Sequence, residues 1–289
     1  MSEQHRYESI WSHLSTVAFT QGWLNANGVK TRYVQAGNPD APALIMLHGT
    51  GGTWEAFCAT LGEHAKHFNC YAIDMVGSGY SEKPRRDHQI RDYVEQVKGL
   101  MATVGIKKAS LIGISMGSWV AARFALIYPE AIEKLTLLAA FGFADDEEEI
   151  GGIIKHRGKA YDDPSWENIK SIFDRLIFQE EKRIPDLIAL RQATYSEPGM
   201  KELSDHVLAV LGPKYLRDNL ITAEEWKQIK TDTLVIASLN DRPLFLNTAR
   251  KVAELIPNAT LIEMSGVGHW PQFEKPDEFN RANIEFLLR

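Results

Sequence analysis

Lys108-Ala109-Ser110-Leu111-Ile112-Gly113-Ile114-Ser115-Met116-Gly117-Ser118-Trp119 organises the rest of the chain. Ala109 to Ile112 is a short apolar run that reads as a buried strand, and Trp119 to Tyr128 reads as a helix that stops before Pro129. Between them, Gly113-x-Ser115-x-Gly117 marks an abrupt turn, with glycines where side chains would collide with the adjoining strand and helix. Such a turn lifts the Ser115 hydroxyl clear of a sheet. It also leaves the Met116 amide at a helix N-terminus, where backbone donors can hold an oxyanion. A five-residue pattern of common residues is also compatible with an ordinary tight turn. The nucleophile reading therefore requires a histidine base and an acid to orient it, because a serine hydroxyl is a poor nucleophile near neutral pH.

Working outward toward the N-terminus, Gly22 to Asn25 and Val29 to Gln35 read as two strands joined through Asn27-Gly28, whose positive φ suits a tight hairpin. Ala43 to Leu47 is a continuous apolar run, the signature of a strand covered on both faces. It ends at His48-Gly49-Thr50-Gly51-Gly52, whose amides, those of Thr50 or Gly51, are placed to approach an oxyanion beside Met116. A plain strand-to-helix loop is the competing reading. A phosphate loop is excluded because no Gly-Lys-Ser/Thr follows. Trp54 to His67 reads as a helix, Asn69 to Ile73 as a strand ending at Asp74, and Ile90 to Val104 as an amphipathic helix. Gly77-x-Gly79 is a poor dinucleotide motif, since Glu82 replaces the third glycine and Pro84 blocks an immediate helix.

Toward the C-terminus, Lys134 to Ala139 supplies another strand, and then the alternation stops. Ala144 to Glu149 is an acidic run that reads as a solvated helix start, followed by helical patterns at Trp166 to Phe178, Pro185 to Tyr195 and Glu202 to Leu211. Alternation resumes at Thr233 to Ser238. A helical block inserted into an α/β alternation resembles a lid over the strand ends, where open sheets bind ligands. The division that follows is an α/β core of residues 1–142 and 223–289 and a helical lid of residues 143–222. Asp241 follows the strand Thr233 to Ser238. His269, in Gly266-Val267-Gly268-His269-Trp270-Pro271, follows the strand Thr260 to Met264. If these strands are parallel, Ser115, Asp241 and His269 emerge from one edge of a sheet as a nucleophile, an orienting acid and a base. Asp241 could instead form a turn, His269 could be a hydrogen-bonded core residue, and Asp74 is an alternative acid. His64 and His67 share a helical spacing without a matching ligand set, so they read as surface residues and no metal site is expected. His48 reads as structural, its ring bonded to neighbouring backbone.

With 289 residues, 44% of them hydrophobic and 24% charged, the chain can bury a large core. A net charge of −6 and a pI near 5.9 give no electrostatic footprint for nucleic acid or an anionic membrane. Two cysteines, Cys58 and Cys70, make neither a disulfide framework nor a CxxC site and read as buried free thiols. The start of the chain mixes Glu3, His5 and Arg6 with apolar residues, unlike a signal peptide, so a cytoplasmic setting is expected. The oligomeric state stays open, a homo-oligomer included.

His48-Gly49-Thr50-Gly51-Gly52, Gly113-Ile114-Ser115-Met116-Gly117, Asn240-Asp241-Arg242-Pro243 and Gly268-His269-Trp270 resemble the α/β-hydrolase superfamily, over about residues 22 to 289. The ending Gly268-His269-Trp270-Pro271-Gln272-Phe273-Glu274-Lys275-Pro276 is similar to that of the meta-cleavage-product hydrolases, which cleave carbon–carbon bonds in ring-fission products of aromatic compounds. That resemblance implies a mostly parallel sheet flanked by helices with an inserted helical lid, a Ser-Asp-His triad and no cofactor. It also implies a lid arginine on the substrate carboxylate, matched by Arg191, and an aromatic after the histidine, matched by Trp270. Two positions depart from the family pattern. Gly52-Thr53-Trp54 stands where Pro-Gly-Ala usually follows the glycine loop, and Ile114 stands at the pocket position usually held by Asn. The expected activity is hydrolysis of a 2-hydroxy-6-oxo-dienoate. A carboxylesterase or lactonase using the same residues is the enzymatic alternative, and a non-catalytic ligand-binding relative the alternative of another class. Dehalogenases and epoxide hydrolases of this fold carry Asp where Ser115 stands.

Overall fold

A computed structural model describes residues 8–289 of the chain. Glu3, His5 and Arg6, on which the reading of the N-terminus drew, lie outside the described residues. Eight strands form one sheet: β1 (Phe19–Ala26), β2 (Val29–Ala36), β3 (Ala43–Leu47), β4 (Asn69–Ile73), β5 (Ala109–Ile114), β6 (Ile132–Leu138), β7 (Thr233–Ser238) and β8 (Ala259–Met264). They lie in the order β1-β2-β4-β3-β5-β6-β7-β8. The first two make the antiparallel hairpin turned by Asn27 and Gly28, both at positive φ, and β2 meets β4 antiparallel. All remaining pairings are parallel.

Parallel pairing needs crossovers, and these put helices on both faces of the sheet. This is why β3, β4, β5 and β7 are apolar along nearly their whole length, with only Ala43 of β3 less than fully buried. Register places Ile114 opposite Leu138, Leu138 opposite Ile236 and Ile236 opposite Ile262, so the carboxyl ends of β5 to β8 lie level. Leu47 opposite Gly113 brings the end of β3 to the same rim. Every loop carrying a candidate residue therefore opens on one edge of the sheet.

Among the described residues, none between β6 and β7 is in a strand; the segment is helical. The acidic run starts a helix, Glu147–Asp162, that the sequence reading did not extend. Asp146 caps it by accepting the Glu149 amide, and the first turn holds three glutamates, where the helix dipole favours negative charge. The helix expected from Trp54 to His67 is shorter: a 3₁₀ turn, Trp54–Phe57, precedes a helix Cys58–Ala65. His64 corrects its sequence reading. It is fully buried, bonded to the Thr60 carbonyl and the Asn283 side chain and stacked on Phe279, whereas His67 is exposed. Helical spacing alone did not show that His64 faces the C-terminal helix Pro276–Leu288. Cys58 and Cys70 are buried and free, and burial raises both thiol pKa values. No helix among the described residues is long and apolar enough to cross a membrane.

Candidate active site

Ser115 stands between β5 and the helix Met116–Ile127 with φ 55° and ψ −118°, a conformation that L-residues rarely adopt. It is held there from both sides. Its amide donates to the Leu138 carbonyl at 2.9 Å, and its carbonyl accepts from the Ser118 amide at 2.8 Å and the Ser118 hydroxyl at 2.6 Å. A Cβ on Gly113 would sit 2.2 Å from the Gly117 carbonyl oxygen, and one on Gly117 would sit 2.2 Å from that of Leu47. The turn closes this tightly only with glycine at both positions.

The loop after β3 passes directly over the serine. A Cβ on Gly49 would come within 3.3 Å of Ser115 Cβ. His48 fixes the loop: its Nδ1 donates to the Gly49 carbonyl at 2.7 Å, and its Nε2 accepts from the Met75 amide at 2.9 Å. An accepting Nε2 must be unprotonated, and burial accordingly pushes the His48 pKa down to about 3. Gly49, Thr50 and Gly52 line a cavity together with Ser115, while Gly51 turns away from it. At φ +59°, Gly51 packs against two phenols, and a Cβ there would sit 2.3 Å from Tyr195 Oη and 2.8 Å from Tyr161 Oη.

His269 follows β8 and lines the same cavity. Its Nδ1 donates to Asp241 Oδ2 at 2.8 Å, with the two side chains only 3% and 2% exposed. Asp241 Oδ1 accepts from the Arg242 amide at 2.8 Å, so both carboxylate oxygens are bonded. That bond directs Nε2 of the imidazole away from Asp241. The Phe245 ring meets the His269 ring edge-on at 4.3 Å. Among the described residues no hydrogen bond joins Ser115 to His269; they share the cavity without touching through one. Asp74 has other work. It accepts from Arg32, Trp54 N and Tyr80 N in a buried cluster with Glu55, so the carboxylate bonded to His269 is that of Asp241.

Two supporting residues were missed by the sequence reading. Asn240 Oδ1 accepts from the Gly266 amide at 2.8 Å and its own amide donates to Val267 O, tying the Asp241 loop to the His269 loop. Buried Glu274 accepts from the amides of Gly268, Phe178 and Gln179, each at 2.8 to 2.9 Å. It clamps the histidine loop to residues 176–179, whose Leu176 carbonyl also accepts from the His269 amide. A glutamate in Gln272-Phe273-Glu274 carries no local sign of three amide donors that arrive from two separate loops.

Arg191 is not a surface arginine. On the helix Pro185–Tyr195 it is 3% exposed, lines the cavity, and leaves Nη1 without a hydrogen-bond partner. Its guanidinium lies over the Phe173 and Tyr195 rings at 5.4 and 5.6 Å, and burial lowers its pKa. Trp270 also lines the cavity, edge-on to Phe173. Ile114, expected at the pocket, is packed wholly in the core and is not one of the lining side chains. An apolar side chain at the end of a buried strand gains more from the core than from a polar cavity. The cavity walls hold three arginines, Arg157, Arg191 and Arg242, and no carboxylate side chain. Among the described residues no cluster of three His, Cys, Asp or Glu could hold a metal ion.

Residues 42–276 match the family described as alpha/beta hydrolase fold. A 2-hydroxy-6-oxo-6-phenylhexa-2,4-dienoate hydrolase of Burkholderia cepacia is 31% identical over 265 residues, covering 85% of this chain and 87% of the relative. A 2-hydroxy-6-oxononadienedioate/2-hydroxy-6-oxononatrienedioate hydrolase of Comamonas testosteroni is 30% identical over 268 residues, covering 86% and 88%. Among solved structures, a 2-hydroxy-6-oxo-6-phenylhexa-2,4-dienoate hydrolase from Rhodococcus sp. strain RHA1 superposes with a TM-score of 0.85 over 95% of this chain and 100% of that one. At 23% identity that likeness speaks for the fold alone.

Proposed function

The chain belongs to the α/β hydrolase fold family, and from that premise we propose that it is a serine hydrolase that cleaves the C5–C6 bond of a 2-hydroxy-6-oxo-dienoate. The observation that carries this reading is the cavity itself. His269, bonded to Asp241 behind it, Ser115 and a buried arginine with an unpartnered donor line one space. Arg191 binds the substrate carboxylate, because a planar guanidinium suits bidentate carboxylate recognition and its free donor lacks a partner in the protein. The names of the two curated relatives support the substrate class.

The bond to be broken is unactivated while the substrate is a dienol. Moving the 2-hydroxyl proton to C5 gives a C2 ketone conjugated with a C3=C4 double bond, an electron sink for the pair left on C5 when C5–C6 breaks. His269 assists that transfer and then accepts the Ser115 proton as the hydroxyl oxygen adds to C6. Asp241 holds the imidazole tautomer and stabilises its charged form. The Met116 amide, with that of Thr50, receives the oxyanion on C6, whereas Gly51, turned toward Tyr195 and Tyr161, does not take the part expected of it. Collapse breaks C5–C6 and places the electron pair in the dienolate, whose C2 oxygen takes up the proton held by His269 and leaves the imidazole free to activate water. Water then releases the acyl group as a carboxylic acid and restores the serine. The helical block of residues 143–222 acts as a lid that brings Arg191 over the strand rim.

A panel of 2-hydroxy-6-oxo-dienoates assayed beside simple aryl esters tests the reading. Turnover of the dienoates, loss of at least about a thousandfold in Ser115→Ala, and a raised KM for dienoates in Arg191→Met are expected. Ester turnover with no dienoate turnover would replace it with a carboxylesterase. Failure of a fluorophosphonate to label Ser115 in folded protein would indicate a ligand-binding relative without catalysis.

A further inference from the structure

Beside the cavity that holds Ser115 and His269 lies a second one, lined by His156, Arg157, Arg175 and Arg242 with Ile153, Ile172 and Leu176. Ile153, Arg157, Leu176 and Arg242 belong to both linings, so the two spaces adjoin across these side chains. No carboxylate side chain lines either. Arg242 is compensated, its Nη1 donating to Glu149 at 2.6 Å. Arg157 is not. It is 8% exposed, and the hydrogen bond recorded for its guanidinium is a long one, 3.4 Å, donated to Tyr195 Oη. Among the described residues no carboxylate lies within ion-pair distance of Arg157 or Arg175. Arg175 is exposed, so the cluster reaches solvent. Burial, and then the positive field of Arg175 and Arg157, hold the His156 pKa down.

A buried guanidinium without a counter-ion is costly, and a cavity wall is where a ligand can supply that counter-ion. One carboxylate satisfies Arg191; the cationic groups of the adjoining space, Arg157 and Arg175, have nothing to bind on a monocarboxylate. We propose that the space bounded by Arg157, Arg175 and His156 is a second anion subsite that receives a carboxylate at the far end of the acyl group, making the preferred substrate a dicarboxylate. The assignment of ends rests on the function proposed above, in which Arg191 holds the dienoate carboxylate. The acid released would then be a dicarboxylic acid. General electrostatic steering would speed the arrival of any anion but would not hold one at equilibrium.

The test uses two pairs that differ only in the terminal carboxylate: 2-hydroxy-6-oxo-deca-2,4-dienedioate against 2-hydroxy-6-oxo-deca-2,4-dienoate, and the 4-nitrophenyl monoester of glutarate against 4-nitrophenyl valerate. The carboxylate member is expected to have a kcat/KM higher by about tenfold or more in each series that is turned over, a preference lost in Arg157→Gln and weakened in Arg175→Gln. Arg175 is exposed, so its variant remains informative should the Arg157 variant fail to fold. Calorimetric titration of Ser115→Ala with glutarate and with valerate reads the same preference without turnover. Equal kinetics within the pairs, or glutarate binding no tighter than valerate, would overturn the subsite. So would an Arg157→Gln effect equal on both members, which would place Arg157 with Arg191 on one carboxylate. A preference seen among esters with no dienoate cleaved would refute the carbon–carbon reading and leave the subsite standing.

Discussion

Replacing Ser115 by glycine should abolish activity and yet stabilise the fold relative to Ser115→Ala. The serine backbone sits at φ 55°, ψ −118°, well outside the small left-handed basin open to L-residues. Such a conformation costs on the order of 1–3 kcal/mol, and this one belongs in the upper half of that range. Alanine keeps the Cβ and therefore the strain. Glycine removes it, at a cost of about 0.5–1 kcal/mol in chain entropy and about 0.8 kcal/mol for the buried carbon lost. The Ser115 hydroxyl has no hydrogen bond to His269 to lose. The difference is a net gain of about 1 kcal/mol for glycine over alanine, or roughly 2 °C in Tm for a chain this long. Differential scanning calorimetry of the two variants at one pH reads it directly, with kcat/KM on the same preparations confirming that both are inactive. A glycine variant no more stable than the alanine one would mean that the turn is relaxed, and the argument from backbone strain would fail.

Asp241→Asn should leave KM nearly unchanged and lower kcat by about 10⁴-fold, because an amide can present its NH2 to the ring and favour the wrong tautomer; steady-state kinetics within tenfold of wild type would remove Asp241 from the triad. Asp74→Ala should cost about 3 kcal/mol, at the low end for a broken buried pair because Arg32 keeps Glu55 at 2.8 Å while the Trp54 and Tyr80 amides lose their acceptor. A urea-derived loss below about 1 kcal/mol would contradict that. His64 is held neutral by burial, its pKa lowered to about 4. A histidine whose folded pKa is depressed binds fewer protons folded than unfolded, so its contribution is present above the unfolded pKa of about 6.5 and is lost as pH falls toward the folded value, by about 1.4 kcal/mol per unit. Glu274, whose pKa burial raises, works in the opposite direction over part of that window. The His64-specific part is isolated by comparing wild type with His64→Gln between pH 6 and 5, where the variant should show a smaller pH slope of unfolding; an unchanged slope would show that His64 is charged in the folded state.

Much of this architecture was legible because local and tertiary demands agree along the sheet. β4 and β7 match their expected bounds residue for residue, since a strand buried on both faces is apolar along nearly its whole length and its polar residues fall at its ends. Ser115, Asp241 and His269 could be placed on one rim because each follows a parallel strand directly. What stayed hidden depends on partners distant in sequence. His64 has an exposed-looking helical neighbourhood in Gly62-Glu63-His64 but meets Asn283 across the molecule. Glu274 gathers amides from two loops, and the helix Glu147–Asp162 shows mainly its acidic start, because its buried face is carried by Ile150, Arg157, Ala160 and Tyr161 in a sequence of low average hydrophobicity. Arg191 could be named from the family resemblance, but its burial depends on the packing of Phe173 and Tyr195 around it.

The uncompensated groups divide between the two parts of the chain in a way that bears on how the protein works. The rim of the sheet carries the strain of Ser115, fixed by hydrogen bonds to Leu138 and Ser118, and an Asp241–His269 pair whose two carboxylate oxygens are both bonded. The inserted helices carry the unpaired positive charge, with Arg157 on one and Arg191 on another, both within reach of Tyr195. A charge left unpaired on the rigid rim would be a permanent cost to the fold. Placed on helices packed over the rim, its relief depends on what lies between the two layers, so if those helices act as the proposed lid, an anion entering the cavity should seat them more firmly over the rim as it binds. An uncharged ligand that fits the apolar walls equally well should leave the helical layer less firmly seated than an anionic one, and amide hydrogen exchange in Glu147–Asp162 and Pro185–Tyr195, with and without glutarate, would record the difference.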